Sequence, residues 1–209
     1  MVLSDRGVGQ RAGLLVAVAP LVLLAVGCVG ASSTTENDPP LPRAPHWAAP
    51  LQRPGAPNLH KVSDGLYRGA QPTAEGFREL KAMGVTTVLN LRSAHSDADE
   101  IGDTDLAYEH IWFRTWHPED EDVVRFLHIV TDSEKIPVFV HCHRGSDRTG
   151  MMCAIYRVVV CGWSKDEAIR EMVHGGFDFH PGFPNLIDYV RDVDVDKMKR
   201  LMKQDCGEE

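Results

Sequence analysis

The sequence predicts an α/β domain with a central, mostly parallel, twisted sheet of four to five strands flanked by helices. Residues 85–91, 108–113 and 136–140 form apolar runs rich in β-branched or aromatic side chains, as expected of buried parallel strands. Segments with helical periodicity alternate with these runs, and this alternation favours crossover connections between parallel strands. A length of 209 residues allows one well-cored domain with accessory segments.

Turn and cap residues place the individual elements. Residues 63–65 contain a glycine and separate two short alternating runs, which predicts a β-hairpin at the start of the domain. Thr73 predicts the N-cap of a helix over 74–83. Ser164 and Glu167 have the spacing of a capping box. Further helices are predicted over 123–131, 149–160, 165–173, 185–193 and 195–203.

Composition excludes several classes of protein. Apolar residues make up 43% of the chain and charged residues 25%, which is ordinary for a globular protein. The formal net charge of -8 disfavours nucleic acid as a partner, because affinity for a phosphate backbone depends on clustered Lys and Arg. A polyanionic substrate would therefore need a local basic pocket.

The N-terminus has the order of regions found in an export signal. Arg6 and Arg11 precede an apolar run over 14–26, and small residues follow it. A membrane span needs about 20 apolar residues, so residues 1–28 are predicted to be a secretory signal that lies outside the fold.

Residues 24–28 resemble a bacterial lipoprotein cleavage site, in which Cys28 would become the first mature residue and carry the lipid. The resemblance implies export to the bacterial periplasm or cell envelope, with a lipid anchor in the membrane. Cleavage of a plain signal after Ala31 and an uncleaved anchor are the alternatives.

Proline dominates the next segment. Residues 29–57 hold seven prolines after a short Ser/Thr run, and this composition opposes both a helix and a central strand. The segment is therefore predicted to be an extended linker, with the folded domain over 58–209.

One loop has the residues for phosphate chemistry. Cys142 and Arg148 are separated by five residues, directly after a predicted buried strand and before an apolar helix. Unpaired amides at a helix N-terminus bind anions, and a loop of this length can curl so that its amides face one phosphate. Gly145 permits the turn. The residues predicted to surround the phosphate are His143, Arg144, Gly145, Ser146, Asp147 and Arg148.

Each catalytic side chain of this region has a chemical role. Cys142 must ionise to attack phosphorus, and the helix N-terminus and Arg148 favour its thiolate. Arg148 offers a planar fork to two phosphate oxygens through the transition state. Thr149 can donate its hydroxyl to the sulfur when the sulfur is the leaving group, and His141 holds the loop from behind. Adjacent loop residues rarely converge on one ion, so the sequence predicts neither a metal nor a cofactor.

The stretch from His141 to Gly150 resembles the signature of the protein tyrosine and dual-specificity phosphatase superfamily. Residues 66–72 and 84–92 resemble parts of the compact bacterial, plant and fungal atypical dual-specificity enzymes. Together the similar regions extend over 58–191. The resemblance implies a hydrolase of class EC 3.1.3 that forms a phosphocysteine intermediate on a phosphorylated protein or a small phosphate monoester.

Enzymes of this superfamily also use a proton donor, usually an Asp on a mobile loop. Asp120 is the first choice here, although it lies closer to Cys142 in sequence than the acid of related enzymes. Glu119, Asp122 and His117 are the alternatives.

The loop composition bears on the substrate. Plant and fungal relatives carry Lys-Arg-Gly-Lys-His between the Cys and the Arg, where this chain has residues 143–147, His-Arg-Gly-Ser-Asp. Two positive charges are missing, which favours phosphotyrosine or phosphoserine and phosphothreonine proteins over inositol polyphosphates or phosphoinositides. A sulfurtransferase or arsenate reductase using the same thiolate, and a catalytically weak phosphate-binding module, are the rival functions.

Overall fold

The computed structural model describes residues 43–205 of the chain, except for the side chain of Asp205. The predicted signal over 1–28, the predicted lipidation site Cys28 and residues 29–42 of the predicted linker lie outside the described residues. No helix within 43–205 is long and apolar enough to cross a membrane.

The described chain forms a layered α/β structure with thirteen helices and strands. The strands are β1 (Ala49–Pro50), β2 (His60–Ser63), β3 (Leu66–Gly69), β4 (Thr87–Asn90), β5 (Ala107–His110) and β6 (Val138–His141). The helices are α1 (Ala74–Ala82), α2 (Ala98–Ile101), α3 (Asp120–Thr131), α4 (Asp147–Val159), α5 (Lys165–His174), α6 (Pro184–Asp192) and α7 (Val195–Asp205).

The strands form one sheet in the order β1-β2-β3-β6-β4-β5. Strands β3, β6, β4 and β5 are parallel to one another. Strands β1 and β2 extend the sheet at one edge through antiparallel pairing. The predicted α/β class and mostly parallel sheet are confirmed. The sheet has six strands rather than four or five, because the short β1 pairs with β2 through a segment that the sequence assigned to the linker.

Two apolar layers cover the sheet. Successive side chains of a strand point to opposite faces, and in β4 Val88 packs with α1 and α2 while Leu89 packs with the larger layer of α3 to α7. In β6, Phe139 belongs to the first layer and Val140 to the second. Strands β4 and β6 are buried throughout, which explains why their sequences are continuously apolar or uncharged rather than alternating.

The predicted caps are present. Thr73 accepts a hydrogen bond from the Gly76 amide at 3.3 Å, and Ser164 accepts one from the Glu167 amide at 3.2 Å. The Glu167 carboxylate does not complete a capping box, because it binds the indole N–H of Trp47 at 2.7 Å instead.

Some boundaries differ from those that the sequence predicts. Helix α3 begins at Asp120 and not at 123, since acidic residues favour the first turn of a helix even where no apolar side chain marks it. Helix α4 likewise begins at Asp147, so the last two residues of the phosphate loop already belong to the helix.

The predicted domain start at residue 58 is too late. Trp47 and Ala48 are buried, and β1 pairs with β2. Proline tolerates an edge strand because its missing N–H faces away from the ladder, so Pro50 does not prevent the pairing. Residues 43–57 are therefore part of the folded domain.

A buried ionic cluster fastens this N-terminal segment to the domain. Glu171 of α5 accepts two hydrogen bonds from the Arg157 guanidinium, at 2.8 and 2.9 Å. The same carboxylate accepts the Ala48 amide at 2.6 Å. Both charged side chains are almost fully buried, so the ion pair between them replaces the hydration that each has lost.

We expect Glu171→Ala to lower the free energy of unfolding by about 3–5 kcal/mol, because it leaves the Arg157 charge buried without its partner. Chemical denaturation of the full chain measures the loss. Asp188→Ala is the control: it breaks an exposed pair with Arg191 at 2.5 Å and should cost less than about 1 kcal/mol. Similar losses in the two variants would contradict a special role of the buried cluster.

Candidate active site

The loop from Cys142 to Arg148 forms the floor of a cavity at the carboxyl end of the parallel strands. It connects the end of β6 to the start of α4, which is the main buried helix behind the sheet. The cavity has a volume of about 370 Å³. Its lining residues are Thr115, Cys142, His143, Arg144, Asp147, Arg148, His180 and Phe183.

Cys142 lies at the bottom of this loop. Its side chain is buried, and the Gly145 amide donates a hydrogen bond to its sulfur at 3.3 Å. Helix α4 starts five residues later and runs for 13 residues, so its N-terminal amides add positive potential near the sulfur. A thiolate at Cys142 is thereby stabilised by amides that would also bind the phosphate.

The loop carbonyls are turned away from the cavity by hydrogen bonds from one stretch of chain, residues 58–71. The Gln71 amide donates to His143 O at 3.2 Å, and the Asn58 side-chain amide donates to Arg144 O at 3.0 Å. Arg68 donates to Gly145 O at 2.6 Å. Three successive carbonyls thus have partners outside the loop, which leaves the amides free to face an anion.

Gly145 is required at the centre of the loop for two reasons. Its φ is +73°, a conformation that side chains disfavour, and a Cβ at this position would lie 2.3 Å from the Gly69 carbonyl oxygen. The loop therefore packs backbone against backbone on the end of β3.

Arg68 is the largest charged group beneath the loop, and it is 1% exposed. Its guanidinium lies 3.7 Å from the centre of the Phe177 ring, which stacks against it as a cation–π partner. Burial lowers the pKa of Arg68, and the ionised forms of Cys153, Glu171 and Cys142 oppose that change. The Arg68 guanidinium thus places a buried positive charge beneath the loop that carries Cys142.

His141 directly precedes the loop, and Asp97 orients its ring; that His141 holds the loop stays a prediction. The Nε2 atom of His141 lies 2.7 Å from Asp97 Oδ2, and both side chains are fully buried. Gln71 donates a second hydrogen bond to Asp97 at 2.8 Å, and Arg92 donates to Gln71 at 2.9 Å. Burial by itself would raise the pKa of Asp97, but the bonds from His141 and Gln71 outweigh it and lower the pKa.

Sequence reasoning missed Arg68 and Asp97 as site residues. Arg68 was noted only as part of a segment that resembles related enzymes. Asp97 lies in a polar stretch before the short helix α2, where an acidic residue is unremarkable. The signal that could have suggested a role is the position of Asp97 in the segment that follows β4, because this segment lies at the carboxyl edge of the sheet.

Arg148 lies in the lining of the cavity, and Thr149 follows it as a buried residue of α4. Arg148 lines the cavity and donates to Leu91 O, at the end of β4, at 3.1 Å. Thr149 is buried, and its hydroxyl makes no hydrogen bond to any residue within 43–205. Donation from Thr149 to the sulfur stays a prediction.

The other predicted loop residues divide between rim and floor. His143 and Arg144 are exposed at the mouth of the cavity, and Ser146 is buried under it. Asp147 lines the cavity and accepts the His180 amide at 2.7 Å.

Asp120, predicted as the proton donor, does not line the cavity. Its carboxylate accepts the Tyr189 hydroxyl and the Lys197 ammonium, both at 2.6 Å. Partial burial favours the neutral acid, but these two bonds outweigh it and lower the pKa of Asp120. These contacts with α6 and α7 give the role of Asp120 as proton donor no support, and that role stays a prediction.

The alternatives to Asp120 also lie outside the cavity lining. The His117 ring is exposed and lies 3.2 Å from the exposed Glu119 carboxylate. Asp122 has a raised pKa, caused by partial burial and the nearby charge of Glu119, but it projects from the first turn of α3.

Comparison with known proteins identifies relatives of this fold and site. Residues 52–180 match the family described as "DSP-PTPase phosphatase fused to NAD+ Kinase". The chain is 33% identical over 161 residues to the dual specificity protein phosphatase TpbA of Pseudomonas aeruginosa, covering 77% of this chain and 72% of that protein. It is 24% identical over 163 residues to the inositol diphosphatase DSP5 of Arabidopsis thaliana, covering 70% of this chain and 74% of that protein.

Solved structures give the same result. A cysteine-to-serine variant of P. aeruginosa TpbA, crystallised in complex with pTyr, superposes with a TM-score of 0.70 and is 31% identical. That match covers 77% of this chain and 98% of the other. The catalytic domain of the Saccharomyces cerevisiae PP-IP phosphatase SIW14 has a TM-score of 0.63 at 20% identity, over 72% of this chain and 94% of that one, and so shares the fold.

We expect Arg68→Met to disrupt the loop without emptying the core, since Met fills much of the same volume but cannot hold Gly145 O. Two effects should follow: the affinity for vanadate falls about 10-fold or more, by the loss of one charge-assisted hydrogen bond, and iodoacetamide alkylates Cys142 more slowly at neutral pH. Vanadate inhibition and alkylation rates measure them.

Arg191→Met is the control for Arg68→Met, because Arg191 is an exposed residue of α6 that pairs with Asp188. If Arg68→Met kept wild-type vanadate affinity and alkylation rate, Arg68 would have only a structural role.

Proposed function

This chain belongs to the dual-specificity phosphatase family and is a cysteine-dependent phosphatase, and we propose that phosphotyrosine in proteins is its principal substrate. The family match over residues 52–180 contains the whole loop from Cys142 to Arg148. The observation that carries the proposal is a cavity with Cys142 and Arg148 at its base and an aromatic ring, Phe183, in its wall.

The reaction follows from the groups in the loop. The Cys142 thiolate attacks the phosphorus atom, the P–S bond forms, and the bond to the leaving oxygen breaks. The guanidinium of Arg148 and the inward-facing amides stabilise the charge on the equatorial oxygens. Water then attacks the phosphocysteine, releases inorganic phosphate and regenerates the thiolate. These residues supply the charge that metal ions supply in kinases, so the steps require no metal.

Two features support phosphotyrosine over other monoesters. Thr115 and Phe183 line the same cavity as Cys142. An aromatic wall favours the flat phenyl ring of phosphotyrosine, which can pack against Phe183. TpbA, whose solved structure resembles this one, was crystallised with pTyr.

The same pocket is less suited to an inositol polyphosphate. Arg144 and Arg148 are the basic residues that line it with permanent charge, and Asp147 places a carboxylate beside them. A polyanion would lack charge partners for its outer phosphates, because the Asp147 carboxyl group supplies no positive charge in either protonation state.

Hydrolysis assays in EDTA and reductant test the function. We expect the full chain to release phosphate from a phosphotyrosyl peptide with a higher kcat/KM than from a phosphoseryl peptide or an inositol diphosphate. The Cys142→Ser variant should fall to background, because a hydroxyl is a far weaker nucleophile than a thiolate.

Two results would contradict this proposal. A higher kcat/KM for the inositol diphosphate would assign the substrate class of DSP5 instead. Vanadate binding without turnover of any of these esters would indicate a phosphate-binding module.

We propose further that the chain is exported and anchored in the bacterial envelope by a lipid on Cys28. The support is the order of the charged, apolar and small residues that end at 24–28. Cells fed a clickable palmitate analogue should label the wild type and not Cys28→Ala. Cys161→Ala, which removes an exposed cysteine of the domain, is the control and should keep the label. Absence of label from the wild type would reject the anchor.

A further inference from the structure

The predicted proton donors lie outside the catalytic cavity, yet expulsion of a phenolate or alkoxide requires a proton. We propose that Asp147, inside the phosphate loop itself, is the general acid for ester cleavage and the general base for hydrolysis of the phosphocysteine. The assignment rests on the phosphatase activity described above and adds a catalytic residue to it.

Position is the first ground for this assignment. Asp147 directly precedes Arg148 and is the only carboxylate among the described residues that line the cavity. A general acid must come within hydrogen-bond reach of the leaving oxygen, which is bound to the phosphorus atom over the loop. Asp147 is the first residue of α4 and lines the same cavity as Cys142 and Arg148.

Orientation is the second ground. The Oδ1 atom of Asp147 accepts the backbone amide of His180 at 2.7 Å. That bond fixes the carboxyl plane and leaves Oδ2 as the oxygen that can carry and release a proton. The residue is half-buried, so water does not compete freely for the group.

The cavity histidines are weaker choices. The Nδ1 atom of His180 accepts a hydrogen bond from the Gly182 amide at 3.0 Å, so this nitrogen is already engaged with the backbone. His143 is exposed at the mouth of the cavity, where its ring is open to water.

The two steps balance with one proton. In the first step, protonated Asp147 gives its proton to the ester oxygen while the P–O bond breaks and the P–S bond to Cys142 forms, so the alcohol leaves neutral. In the second step, the Asp147 carboxylate takes a proton from water as the water oxygen attacks phosphorus. The P–S bond breaks with its electron pair on sulfur, which restores both the thiolate and the protonated acid.

Leaving-group dependence tests this role. Asp147→Asn keeps an oxygen that can accept the His180 amide but has no acidic proton. We expect its kcat/KM to fall about 100-fold or more for phenyl phosphate, a poor leaving group, and much less for para-nitrophenyl phosphate, a good one. Because the base is also lost, para-nitrophenol release should show a burst followed by slow turnover as phosphocysteine accumulates.

Asp120→Asn and His180→Gln are the rival variants, and we expect neither to lose activity selectively on the poor leaving group. Equal losses of Asp147→Asn on both esters, or a selective loss in either rival, would overturn the assignment. Vanadate affinity and thermal unfolding of each variant identify a loss caused by misfolding. If the wild type hydrolysed neither ester, the phosphatase activity itself would fail, which is a separate outcome.

Discussion

The site depends on one constraint, which is that the carbonyl oxygens of the phosphate loop must point away from the bound anion. A loop of seven residues cannot satisfy its own carbonyls while it presents its amides to a phosphate. Residues 58–71 meet this need by donating to the carbonyls of His143, Arg144 and Gly145. The β2–β3 hairpin and its flanking residues therefore support the anion site, and the pairing of β3 with β6 holds the hairpin beside the loop.

Two buried charges secure this arrangement from below. Arg68 contacts the loop on one side and Phe177 on the other, and Asp97 holds His141 behind the nucleophile. A buried charge is costly unless it is paired, so each of these side chains stabilises the fold only when the loop is correctly formed. The network thereby couples the stability of the domain to the geometry of the site.

Local signals in the sequence were sufficient for the class of fold and for the nucleophilic loop. Caps at Thr73 and Ser164, and the apolar strands that became β4 and β6, depend on neighbouring residues and could be read directly. Partners distant in sequence could not be read. Asp97 lies 44 residues from His141 and Arg68 lies 77 from Gly145, so only the folded chain brings them together. The partners of Asp120 could not be read from the sequence for the same reason, since they belong to α6 and α7.

A proton donor inside the phosphate loop would tie catalysis to substrate choice. Related enzymes with Lys or His at loop positions carry more positive charge beside the bound phosphate. Asp147 would supply the proton chemistry and, whether it is protonated or ionised, adds no positive charge to that of Arg144 and Arg148. Selection for the acid at this position would therefore select against inositol polyphosphates and leave the aromatic wall at Phe183 to recognise the substrate.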